Sequence, residues 1–158
     1  MNIKVVNRLK KQASRSPVAA GLAVVANDTG RVLMIQRPLD DGDPNSGKWE
    51  FPGGVIEDGE TSWMTALREW KEETGLKWSE NDDTWSPQRS WLSGNGKYRG
   101  YVEHVPEEAS FNLNDRVLSS DPDSEVGGVI AWVHPRDLLN HNLRPTLLED
   151  VDEVLNRI

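Results

Sequence analysis

The 158-residue chain contains no cysteine, which excludes a disulfide framework and any thiolate metal site. It also lacks an apolar run long enough to span a bilayer as a helix, and it shows no charged-then-apolar leader with a cleavage site. A cytoplasmic location without a membrane partner is therefore expected. Histidine is scarce: His104, His134 and His141 have no metal-ligand spacing, and structural roles are expected for all three. Acidic residues are missing from one stretch, the first sixteen residues, which hold Lys4, Arg8, Lys10, Lys11 and Arg15. The whole chain carries a net charge of −8, so the remainder carries −13. A body this acidic argues against broad binding of extended nucleic acid through charge. Residues 1–16 read as a solvated basic arm or edge element, and residues 17–158, in a chain that is 36% apolar, as one domain.

What the chain does contain is a concentrated acidic motif. Glu69, Glu72 and Glu73 stand at i, i+3 and i+4, which places three carboxylates within roughly a quarter to a third of a helix circumference. Carboxylates held this close repel one another, and a hard divalent cation relieves that repulsion while accepting oxygen ligands. Trp63, Leu67, Trp70 and Thr74 recur at the spacing of a packing stripe. Ser62 or Thr61 can cap the start and Gly75 the end, which predicts a helix over 62–74. Upstream, Gly53 and Gly54 permit a tight backbone approach, so that a main-chain carbonyl can reach the same cation. Arg68 lies beside Glu72 and can fix a carboxylate rotamer.

Around this helix the pattern predicts strands at 17–26 and 31–37 joined by a turn at 27–30, then a polar loop and a short extended segment at 48–52. A hairpin at 88–105 turns at Gly94-Asn95-Gly96, and a further strand at 126–133 leads into a helical turn through Asn140. Leu147, Leu148, Val151, Val154, Leu155 and Ile158 predict a closing helix over 145–157. Strands on both sides of an amphipathic helix, with a second helix at the end, indicate an α/β (α+β) fold with a mixed central sheet sandwiched between helices.

Gly54, five residues, Glu60, seven residues, and then Arg68-Glu69-Trp70-Lys71-Glu72-Glu73-Thr74-Gly75-Leu76 resembles the complete signature box of the Nudix hydrolases. A random match at a given start has a probability on the order of 10⁻¹⁰. The one departure is Trp70, where the family usually carries a smaller aliphatic residue. The resemblance implies the same α/β/α sandwich and hydrolysis of a pyrophosphate bond in a nucleoside diphosphate linked to another group, assisted by Mg2+ or Mn2+. It further implies that Glu69 and Glu73 are the principal metal ligands, with Glu72 a further ligand and a carbonyl of Gly53 or Gly54 completing the site. Glu60 is expected to support them through water or Arg68. The general base is a box glutamate or an acid outside the box, for which Glu125 is the external candidate and metal ligand, with Asp121 and Asp123 as neighbours.

For the substrate, Arg37 at the end of a strand near the box is a candidate phosphate partner, and Trp91 and Tyr98, together with Trp85 and Tyr101, are candidates for stacking a base. Each has a plain alternative in the core or the solvated surface. A nucleoside triphosphate or modified nucleotide is the expected small-molecule partner, and a homodimer is left open. The competing readings are an ADP-ribose or dinucleoside polyphosphate hydrolase, and a nucleotide-sensing module with the fold but without turnover.

Overall fold

The computed structural model describes residues 16–76, 89–116 and 129–158. The first strand, β1 (Ala19–Ala26), is buried along nearly its whole length, as suits a segment without a single charged side chain. Its alternation divides the core. Ala20, Leu22, Val24 and Ala26 enter one cluster, and Ala23 and Val25 enter the other, as a period of two dictates. β2 (Val32–Gln36) returns antiparallel after the turn at 27–30, where Gly30 takes a φ of 73°.

β3 (Trp49–Glu50) and β4 (Gly53–Val55) follow the polar loop, β5 (Arg89–Leu92) and β6 (Tyr98–Val105) form the expected hairpin, and β7 (Val129–Val133) comes last. The sheet order among the described residues is β3-β2-β1-β6-β5, with β4 paired to β1 and β7 to β2. β6 runs parallel to β1 and the other pairings are antiparallel, so the sheet is mixed.

One face of the sheet is covered by α1 (Ser62–Thr74). Thr61 caps it by accepting from the Met64 N–H at 3.2 Å, and Gly75 ends it with a φ of 62°. The inward stripe is rotated from the expected one: Thr65, Ala66, Glu69, Trp70 and Thr74 are buried, while Trp63 and Leu67 are half-buried at the margin. β4 packs against the helix there, with Gly54 leaving room for the Glu69 carboxylate. Trp70 fills the layer between helix and sheet, its ring 5.1 Å from that of Phe111.

The other face carries the chain's end, where the expected single helix is two: α2 (Pro145–Glu149) and α3 (Val151–Arg157). The break falls at Asp150, with φ −103° and ψ 7°, whose carboxylate accepts from the Gly94 N–H at 3.1 Å. Leu147, Val151 and Val154 are buried, whereas Leu148 and Leu155 face outward. Among the described residues, no helix is long and apolar enough to cross a membrane. The basic stretch at 1–15, Trp85, and the acids Asp121, Asp123 and Glu125 lie outside the described residues.

Candidate active site

β4 brings its backbone against α1 because two successive residues have no side chain. A Cβ on Gly53 would stand 2.7 Å from the Ala20 carbonyl oxygen, and a Cβ on Gly54 would stand 2.4 Å from the Glu69 carboxyl carbon. Nothing larger than glycine fits that approach without displacement. The Gly53 N–H donates to Glu73 Oε1 at 2.8 Å, so this residue meets the helix through its amide.

Arg68 organises the remaining acids. Its Nε and Nη2 donate to the two oxygens of Glu60, both at 2.9 Å, the fork geometry that only a guanidinium supplies. Nη1 donates to Glu69 at 2.9 Å and to Glu72 at 3.1 Å, and Nη2 also reaches the Val55 carbonyl at 3.2 Å. Glu60 accepts in addition from the Glu57 N–H and the Thr65 hydroxyl, each at 3.0 Å. The Arg68 guanidinium, then these two donors, hold the Glu60 carboxyl at about 2, against an ordinary value of 4.5. A depressed carboxyl contributes stability that is fully present above its unfolded value and is lost as pH falls through its folded one. Unfolding curves should therefore show stability declining between about pH 4.5 and about 2, with a shallower decline in Glu60→Gln.

The three box glutamates are held differently. Glu69 is buried, Glu73 is half-buried and Glu72 is half-exposed. In this arrangement no three carboxylate or imidazole groups among the described residues are gathered as a cation cage. The Arg68 guanidinium supplies the counter-charge for Glu69 and Glu72. The donor set still suits a hard cation, since the carboxylates and the β4 backbone offer oxygen and no sulfur or imidazole. Gly54→Ala should push the Glu69 carboxylate off Arg68, lowering kcat by about 10–100-fold while the circular dichroism spectrum stays unchanged.

Beside Gly53 and Gly54 opens a cavity of about 330 Å3. Phe51, Trp91, Tyr98 and Leu147 give it apolar walls, and Glu50, Arg144, Lys97, Glu149 and Asp150 are its charged lining. Of the residues expected to bind substrate, Trp91 and Tyr98 border this cavity and Arg37 does not. Trp91 is 3% exposed and packs against Gly100 and edge-on to Phe51 at 5.9 Å, so it is a wall of the core, not a free stacking face. Burial, and then the charges of Glu50 and Glu73, push the Tyr98 phenol up and keep its O–H a donor. Arg37 is tied to Asp43 at 2.8 Å and more loosely to Glu50 at 3.4 Å. Tyr101 packs on Trp63 of α1, with ring centres 5.3 Å apart. The histidines make local contacts: His104 with Asn27, His134 as a cap for Arg136, and His141 with the Asp137 carbonyl.

Sequence reasoning missed Glu50 and Arg144. The available signal was an acid set between Trp49 and Phe51 in an otherwise apolar strand, where a buried charge requires a partner.

Comparison with known proteins agrees with this architecture. The NUDIX domain family matches residues 15–155. An 8-oxo-dGTP diphosphatase of Proteus vulgaris is 44% identical over 59 residues, covering 37% of this chain and 49% of that protein. A dihydroneopterin triphosphate diphosphatase of Escherichia coli is 42% identical over 68 residues, covering 43% of this chain and 42% of that protein. The chain thus matches less than half the length of either relative. A solved Nudix hydrolase from M. smegmatis superposes with a TM-score of 0.62 at 19% identity, covering 90% of this chain and 86% of that one, a likeness of fold.

Proposed function

The chain belongs to the Nudix family, and from that premise we propose that it hydrolyses a pyrophosphate bond in a nucleoside diphosphate linked to another group, with a divalent cation as cofactor. The observation that carries this reading is the juxtaposition of the Arg68-ordered carboxylates with the cavity across Gly53 and Gly54. Glu69, Glu72 and Glu73, a carbonyl of Gly53 or Gly54, and Glu125 are the residues that would hold Mg2+ or Mn2+. Such a cation, when bound, neutralises diphosphate oxygens and makes water more acidic.

The chain's own residues supply orientation. Arg68 fixes Glu60, Glu69 and Glu72 relative to one another, and the Gly53 N–H fixes Glu73. A box glutamate or Glu125 takes the proton of the attacking water, whose oxygen bonds to one phosphorus as the bridging P–O bond breaks. The cavity receives the nucleoside end, with Tyr98 in its wall. The two relatives are named for 8-oxo-dGTP and dihydroneopterin triphosphate. Both compounds pair a triphosphate with a 2-amino-4-oxopyrimidine ring, and we infer a nucleoside triphosphate or modified nucleotide of this kind as substrate.

Incubation with Mg2+ or Mn2+ and a panel of nucleoside triphosphates, oxidised nucleotides, ADP-ribose, NADH and dinucleoside polyphosphates tests the reading. Release of a nucleoside monophosphate, resolved by chromatography, is expected from one class. No product from any of them would sink it.

A further inference from the structure

Glu50 and Arg144 are 94 residues apart in sequence and meet on the cavity wall, Arg144 Nη1 donating to Glu50 Oε2 at 2.8 Å. The meeting is built in by the backbone. The Trp49 N–H donates to the Asn142 carbonyl at 2.8 Å, and the Arg144 N–H donates to the Trp49 carbonyl at 2.9 Å. Glu50 is 6% exposed, and Arg37 Nη1 lies 3.4 Å from its other oxygen. A carboxylate has about four lone-pair sites, so each oxygen keeps acceptor capacity after these two contacts. Among the described residues, Arg144 makes no other side-chain hydrogen bond, which leaves further N–H donors of its fork for a ligand.

Followed through these contacts, the order of groups is acceptor, acceptor, donor: Glu50 Oε1 beside Arg37, Glu50 Oε2, then the Arg144 guanidinium. Its complement is a ring edge reading donor, donor, acceptor. An exocyclic amine, an adjacent ring N–H and an adjacent carbonyl have that order, as on the 2-amino-6-oxopurine edge of guanine. Phe51, Trp91 and Tyr98 supply apolar surface for the ring, and Gly53 and Gly54 lie where the cavity meets the box carboxylates.

We propose that the Glu50–Arg144 pair determines base specificity, reading the 2-amino-oxo edge of a guanine-type heterocycle; this rests on the nucleotide hydrolase reading above. Hypoxanthine satisfies two of the three positions, whereas adenine, whose ring nitrogen accepts at position 1 and whose amine donates at position 6, satisfies none in that register. Xanthine turns a carbonyl oxygen toward the carboxylate and is repelled.

Calorimetric titration with GMP, IMP and XMP tests the pair, because these ligands differ at ring position 2, which bears an amine, a hydrogen or an oxo group. GMP should bind at least about tenfold more tightly than IMP, the loss of one hydrogen bond to a charged acceptor, and XMP should bind most weakly. In Glu50→Gln the amide N–H can face the xanthine carbonyl, so the GMP-to-XMP ratio should collapse. Glu50 is buried, and if that variant fails to fold the wild-type series decides alone. Equal affinity for the three ligands, or no binding of any, overturns the assignment. Binding is read without turnover. Hydrolysis without a GMP preference therefore defeats this assignment alone, and a GMP preference without hydrolysis of any substrate defeats only the hydrolase reading.

Discussion

Glu73→Gln should lower kcat on the order of 10³-fold, in the range by which acid–base and charge-placing groups accelerate a reaction, while leaving the fold intact. The reasoning starts from the Gly53 N–H, which donates to Glu73 Oε1 at 2.8 Å. A glutamine oxygen still accepts that hydrogen bond, so the β4–α1 contact survives and only the charge is lost. Glu69 and Glu72 lie within one turn of the same helix, and removing one of three like charges relieves repulsion. The melting temperature without divalent cations is therefore expected to hold or rise. Mg2+ is expected to stabilise the wild type more than this variant, because a cation that binds the folded state stabilises it by mass action. Steady-state kinetics beside thermal melts with and without Mg2+ check both halves. Turnover above about a tenth of wild type would remove Glu73 from the catalytic set.

The parts of the fold that local chemistry controls were legible in the sequence. α1 begins and ends where its own caps lie, Thr61 and Gly75, so its bounds follow from a few neighbouring residues. The apolar run of β1 and the turn at Gly30 are equally local. What was not legible depends on contacts distant in sequence. The break at Asp150 comes from a hydrogen bond to Gly94, 56 residues away, and periodicity alone cannot register it. The cavity has no motif because its charged wall joins β3 to the segment before α2. Trp91 reads as a possible stacking platform until Gly100 is seen to open a slot for its ring. The room for the buried Glu69 carboxylate likewise comes from a glycine on another element, not from the helix's own pattern.

Arg68→Met should lower the melting temperature on the order of 5–10 °C and kcat by about 10–100-fold. Arg68 is a cation shared by Glu60, Glu69 and Glu72, and its side chain is three-quarters shielded from solvent. Methionine occupies similar volume without charge, so the loss is electrostatic. The Glu69 side chain is 8% exposed and the Glu60 side chain 14%, and removing their cation leaves carboxylates that water reaches poorly. Glu72, at 47% exposed, has solvent to fall back on and contributes little to the penalty. Arg68→Lys separates charge from geometry. An ammonium can meet one of these acids but cannot span both oxygens of Glu60 while also reaching Glu69, Glu72 and the Val55 carbonyl. Lysine is therefore expected to recover part of the melting temperature and little of kcat, measured side by side with the methionine variant. If lysine restores turnover to the wild-type level, positive charge alone suffices, and the forked geometry of Arg68 is not what aligns the carboxylates.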